Sequence, residues 1–209
     1  MIKIETIPCR DDLAGRSKWW GFPDLPEEYD WPSVTVNDEG DEYDDPLTFI
    51  CQLRCDELAP YDKEGLLPHT GMLYFFAALD YFLGNLDGLC AGMGEWEAPY
   101  FRVLYSPDCR NLHQHSLYYE DGSPAVLPAE EVRFSAVNKG EDCYTRLLGP
   151  AYFEEVSSGL PGMLSLLQID ENDDWGLRFF DSGMLNFMID PEDLAARRFM
   201  AVKAWLHSA

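Results

Sequence analysis

The apolar positions of this chain fall into short runs, and one phrase of them is spoken twice. Pro46-Leu47-Thr48-Phe49-Ile50-Cys51-Gln52-Leu53 precedes a polar gap and then Gly71-Met72-Leu73-Tyr74-Phe75-Phe76. Later, Gly162-Met163-Leu164-Ser165-Leu166-Leu167-Gln168-Ile169 precedes Gly183-Met184-Leu185-Asn186-Phe187-Met188-Ile189. Each copy is an apolar run broken by one glutamine, then a loop, then a Gly-Met-Leu-x-Phe run. Runs of this length bounded by turn residues predict strands. Their repetition predicts two related β units, at 46–80 and 162–206, inside a single domain covering 1–209.

Alternation along the first run places Leu47, Phe49, Cys51 and Leu53 on one face and Thr48, Ile50 and Gln52 on the other. Both faces are largely apolar, which predicts a strand covered on both sides. In the following strand, 72–77, Leu73, Phe75 and Ala77 share the core face. Further strands are predicted at 100–105, 112–119, 132–137 and 200–206, with continued helix to 206 as the alternative for the last, and short helical turns at 55–58 and 152–156. Asp190-Pro191-Glu192-Asp193 predicts a helix start, with Asp190 as N-cap and acids at the positive dipole end; the helix is expected to run to about 198. Three prolines and a glycine exclude a regular helix over 17–32, and glycines make 80–100 an irregular connection. These elements predict an α+β fold, mainly antiparallel β-sheet with few short helices and an internal duplication of a β unit.

Composition adds a soluble core. The chain has 209 residues, 46% hydrophobic and 14% aromatic, which excludes disorder throughout. No apolar stretch approaches the roughly 18 residues of a membrane span. Met1-Ile2-Lys3-Ile4-Glu5-Thr6 lacks the features of a signal peptide, so a cytoplasmic location is expected. The six cysteines show no Cys-x-x-Cys pair and are expected to be reduced.

Charge changes the picture more. The 38 acidic and 15 basic residues give a formal net charge of −23. That field disfavours nucleic acid and anionic membranes as partners and favours a basic protein. The excess peaks at Asp38, Glu39, Asp41, Glu42, Asp44 and Asp45. This run is expected to be either a solvated loop or a docking surface.

The order of several segments resembles the YwqG-like family of bacterial proteins, an α+β family of unknown function. The likeness is carried by Ser17-Lys18-Trp19-Trp20-Gly21-Phe22-Pro23-Asp24-Leu25-Pro26 with Trp31-Pro32, by Pro46 to Leu53 and Glu57-Leu58-Ala59-Pro60, and by Gly71 to Phe76. At the C-terminal end it is carried by Leu167-Gln168-Ile169-Asp170, Trp175-Gly176, Gly183 to Ile189, Glu192-Asp193-Leu194 and Arg198-Phe199. It runs from about 17 to the end and is weakest over 80–160. One departure is Trp20, where the family often has the first glycine of a pair. The resemblance implies the fold and its duplication, and it supplies no catalytic residues.

Gln52 and Gln168 interrupt apolar strands, and a buried amide without partners costs about 1–3 kcal/mol. Each either bonds the backbone of a neighbouring loop or faces a cleft between the two units, lined also by Trp19, Trp20 and Trp31. Asp170 to Asp181 spaces oxygens somewhat like a calcium loop, but Trp175 stands where the sharp turn needs glycine. His113 and His115 lack a third ligand, no nucleophile sits in a recognisable motif, and neither a metal nor a cofactor is expected. Together these features point to a non-catalytic binding module whose acidic surface meets a basic protein, an immunity-type role being one form. The alternative is a small-molecule-binding protein or small enzyme with a cleft between the β units.

Overall fold

In the computed structural model the described residues are 1–38, 40–138 and 141–209. The strands are, in order, β1 (Ile2–Pro8), β2 (Lys18–Trp19), β3 (Asp24–Pro26), β4 (Ser33–Asp38), β5 (Asp41–Pro46), β6 (Thr48–Arg54), β7 (Met72–Ala77) and β8 (Gly94–Trp96). They continue as β9 (Phe101–Ser106), β10 (Leu112–Gln114), β11 (Glu130–Ala136), β12 (Arg146–Leu147), β13 (Leu164–Asp170), β14 (Gly183–Ile189) and β15 (Lys203–Ser208). The α-helices are α1 (Cys55–Leu58), α2 (Glu154–Gly159) and α3 (Pro191–Ala195). The architecture is therefore mainly β rather than α+β, because the three helices, of four to six residues, are short links between strands. Among the described residues, no helix is long and apolar enough to cross a membrane.

Eleven strands form one antiparallel sheet in the order β8-β15-β14-β13-β12-β1-β11-β2-β6-β7-β9. The edge strands β8 and β9 are joined by residues 97–100, so the sheet curls into a nearly closed barrel. Its interior is apolar and bridges the two ends of the sheet: Phe75 of β7 meets Phe187 of β14 edge-on at 5.3 Å. Each end is also covered outside. Leu25, Val34 and Leu47 pack on Phe49, Tyr74 and Phe76, while Ala151, Val156 and Leu160 pack on Met188.

Alternation fails at one place in each of β6 and β13. Phe49 pairs with Phe76 and Cys51 with Phe75, so Ile50 is an extra, bulged residue; Leu166 is likewise extra between Ser165 and Leu167. The bulge turns two successive residues inward. Ile50, Cys51 and Leu53 therefore face the interior while Phe49 joins Leu47 outside, which corrects the face assignment made from strict alternation. The freed carbonyls are used the same way: Trp20 N–H donates to Ile50 C=O at 2.7 Å, and Leu148 N–H to Leu166 C=O at 3.4 Å. Trp20 and Leu148 both adopt left-handed backbone, at φ 56° and 59°.

Other boundaries shift for physical reasons. The C-terminal strand starts only at Lys203, because Phe199–Ala201 close a tight 3₁₀ turn ahead of it. Helix α3 stops at Ala195, capped by Asp190, whose carboxylate accepts Glu192 N–H at 2.7 Å. The strand expected over 112–119 is confined to β10, which pairs only with the three-residue β3. Central strand β1 and the two-residue β12 were not anticipated.

Candidate functional site

Gln52 and Gln168 are fully buried and point to the outer faces of β6 and β13. Gln52 Oε1 accepts Asp24 N–H at 2.8 Å, and its Nε2 donates to Arg16 C=O at 2.8 Å and to Asp24 Oδ2 at 2.7 Å. Gln168 Oε1 accepts Tyr152 N–H at 2.8 Å, and its Nε2 donates to Tyr144 C=O at 2.6 Å. The neighbours match too. Gln52 stands opposite Lys18 and Gln168 opposite Arg146, and in each case the amide bonds the backbone two residues before and six residues after that cation. Ser17 Oγ accepts Arg54 N–H at 2.8 Å as Thr145 Oγ1 accepts Asp170 N–H at 3.1 Å. Each amide thus stitches a turn onto the sheet through both its oxygen and its nitrogen.

Of the five residues named as cleft candidates, the structure brings together Trp19 and Trp20. Both are buried inside the barrel with Trp175, which stacks on Trp19 at 5.5 Å and meets Trp20 edge-on at 5.4 Å. Trp31 is outside, donating its Nε1–H to Leu47 C=O at 2.8 Å and packing on Phe76. The glutamines are set apart by β12, β1, β11 and β2. A buried ion pair that the sequence reading missed lies beside Gln52: Lys18 Nζ is 2.8 Å from Asp24 Oδ2, with both side chains about 95% covered. Its only sequence signal was a lysine inside an aromatic run, six residues before an aspartate.

Within the acidic run, Asp38 ends β4 and Asp41 to Asp45 lie on β5, the second strand of a separate hairpin rather than a loop. β5 pairs along its length with β4, with Val36 opposite Tyr43 and Thr35 opposite Asp44. Acidic residues are poor strand formers, yet Ser33-Val34-Thr35-Val36 supplies the partner strand, and Val34 anchors it in the outer cluster. Asp41, Glu42 and Asp44 are exposed, and Thr35 donates its hydroxyl to Asp44 at 2.8 Å. Asp45 is half-buried at the hairpin base; burial, and then the charge of Asp80, raise its carboxyl above the usual range. Glu39 and the side chain of Asp38 lie outside the described residues. Among the described residues, no cation pairs with Asp41, Glu42, Asp44 or Asp45.

Two of the six cysteines, Cys51 and Cys55, are fully buried. Burial pushes the Cys55 thiol up to about 12 and raises Cys51 well above its ordinary value, the opposite of what a nucleophilic thiolate needs. In the Asp170–Asp181 loop, Asn172 accepts Asp174 N–H, Glu171 accepts Phe179 N–H at 2.7 Å, and Arg178 pairs with Asp173. These oxygens are engaged by the protein itself. Among the described residues, no group of three metal-ligating side chains converges.

No curated protein matches the chain. A family model matches residues 17–148 and 154–207, which include both glutamines and the C-terminal strands, and the chain belongs to that family: DUF1963, a domain of unknown function.

Proposed function

We propose that this protein is a non-catalytic binding module whose β4–β5 hairpin docks a basic protein partner, an immunity-type neutralisation of a cationic toxin being one form. The observation that carries this reading is the set of exposed carboxylates on a paired strand, Asp41, Glu42 and Asp44, with no described counter-ion. The strand fixes these charges in place, with alternation setting Glu42 and Asp44 in a row on one face and Asp41 on the other. Such a row accelerates encounter with a cationic surface more than it adds affinity. We also read the two glutamine-stitched units as copies of one β unit, within a YwqG-like branch of the family. The matched bulges, left-handed residues and amide bonds support that reading.

The test is capture of the partner from the native host at low salt, followed by association kinetics. A variant with Asp41, Asp44 and Asp45 changed to Asn and Glu42 to Gln should associate about tenfold more slowly. Wild-type binding should weaken steeply with salt. An on-rate unchanged by the substitutions, or binding indifferent to salt, would overturn the docking role.

A further inference from the structure

Helix α3 ends on a residue type that its backbone disfavours. Ala196 N–H donates to Glu192 C=O, Arg197 N–H to Leu194 C=O and Arg198 N–H to Asp193 C=O, so the chain leaves the helix through Arg197 in left-handed backbone, at φ 56°. Glycine usually takes that place, because a Cβ there costs about 1 kcal/mol. The arginine side chain lines an open cavity of about 560 Å³ between β9 and residues 197–201. Small-molecule sites are mostly apolar hollows of about 300–1,000 Å³ with a few well-placed polar groups.

This cavity has that composition. Its walls include Leu104 and Tyr105 of β9, Phe199 and the largely exposed Met200. The Tyr105 and Phe199 rings pack together, with centroids 5.3 Å apart. Tyr29 joins the wall and donates its hydroxyl to Tyr105 C=O at 3.1 Å, so the hollow offers side chains rather than main chain. Its charge runs against the rest of the molecule. On a chain of net charge −23 no acidic residue lines it, whereas Glu5 lines a second cavity, Asp62 and Glu64 a third, and Asp45 and Asp80 a fourth. Arg198 is held by Asp193 at 2.6 Å, but Arg197 has no ion-pair partner among the described residues. Burial raises the Tyr105 phenol above its ordinary value, and the nearby Arg197 charge opposes that rise.

We propose that this cavity binds a small aromatic carboxylate. The carboxylate pairs with the Arg197 guanidinium through two parallel hydrogen bonds, and the ring lies against Tyr105, Phe199 and Met200. One free guanidinium matches one carboxylate, whereas a dianionic phosphate would meet the acidic field of the whole chain with twice the charge. The absence of carboxylates from the lining lets an anion settle here on an otherwise acidic protein. The site is separate from the β4–β5 hairpin and does not depend on the docking role.

The test titrates the full chain, isotope-labelled at its methionine methyl groups, with 2-naphthoate and follows the methyl signals by NMR. The Met200 signal, identified by its loss in Met200→Leu, should shift saturably while that of the buried Met72 stays in place. 2-Naphthamide has the same shape without the charge and should bind about tenfold more weakly. Acetate, which has no ring, should shift nothing. Arg197→Gly removes the guanidinium and suits the left-handed backbone, so it should weaken 2-naphthoate about tenfold with the other methionine signals unchanged. Arg102→Gln removes a cation of β9 that does not line the cavity, and should leave the affinity as it was. No saturable Met200 shift, equal affinity for the acid and the amide, undiminished affinity in Arg197→Gly, or an equal loss in Arg102→Gln would overturn the proposal.

Discussion

The turns stitched by Gln52 and Gln168 share a backbone design, but the cation beneath each is handled differently. Lys18 meets a carboxylate: Asp24 Oδ2 lies 2.8 Å from its Nζ and also accepts Gln52 Nε2–H and Gly15 N–H. Arg146 meets none. Its guanidinium donates to the carbonyls of Cys143 and Pro150 and to Gln168 Oε1, its Nε is unpartnered, and burial pulls it below its ordinary pKa. At the place corresponding to Asp24 stands Tyr152, which gives the amide its backbone N–H and sets its ring edge-on against Tyr144 but supplies no carboxylate. What the two turns have in common is therefore the amide, and the partner of the cation is variable. A lysine ammonium concentrates charge and needs a counter-ion when buried. A guanidinium spreads its charge over five donors and can be solvated by carbonyl dipoles.

The largest expected effect tests that asymmetry. Asp24→Ala strands a buried ammonium and should cost about 3–5 kcal/mol in urea unfolding. Tyr152→Ala, at the corresponding place, should stay within about 1 kcal/mol. Equal losses would mean that the two turns are energetically alike after all.

A middle-sized effect tests what the turns share. Gln52→Leu and Gln168→Leu each leave a buried N–H and a buried C=O without partners, so each should cost about 2–3 kcal/mol. The two losses should agree to within about 1 kcal/mol. A loss confined to one variant would break the equivalence of the amides.

The smallest effect concerns the arginine alone. Arg146→Met gives up bonds to two carbonyls but also removes a desolvated charge, and a net change within about 1 kcal/mol is expected. Lys18→Met should be clearly worse, because it leaves the Asp24 carboxylate buried without its cation. Chemical denaturation of the pair, read side by side, separates the two outcomes.

Much of this was legible in the sequence, and the exceptions share a cause. The repeated phrase marked β6, β7, β13 and β14, and the glutamines stood out as polar residues needing partners. The short helix after Arg54 and the cap at Asp190 were equally visible, since propensity and capping are local. The bulge at Ile50 was not, because an apolar residue is acceptable on either face of a strand covered on both sides. β12 was invisible as two residues with no period, and β5 was hidden by its acids until β4 supplied a partner. The Lys18–Asp24 pair escaped for the same reason: its meaning depends on Gln52, 34 residues beyond Lys18.

By itself, then, the sequence determined which segments must be buried, that two of them carry the same single amide, and that the chain as a whole is strongly acidic. Only the tertiary structure decided which face each residue serves and which groups partner each buried cation. The physical reason is that burial and hydrogen bonding are settled between residues far apart in the chain. Local pattern can state that a group needs a partner, but the pairing of strands chooses it.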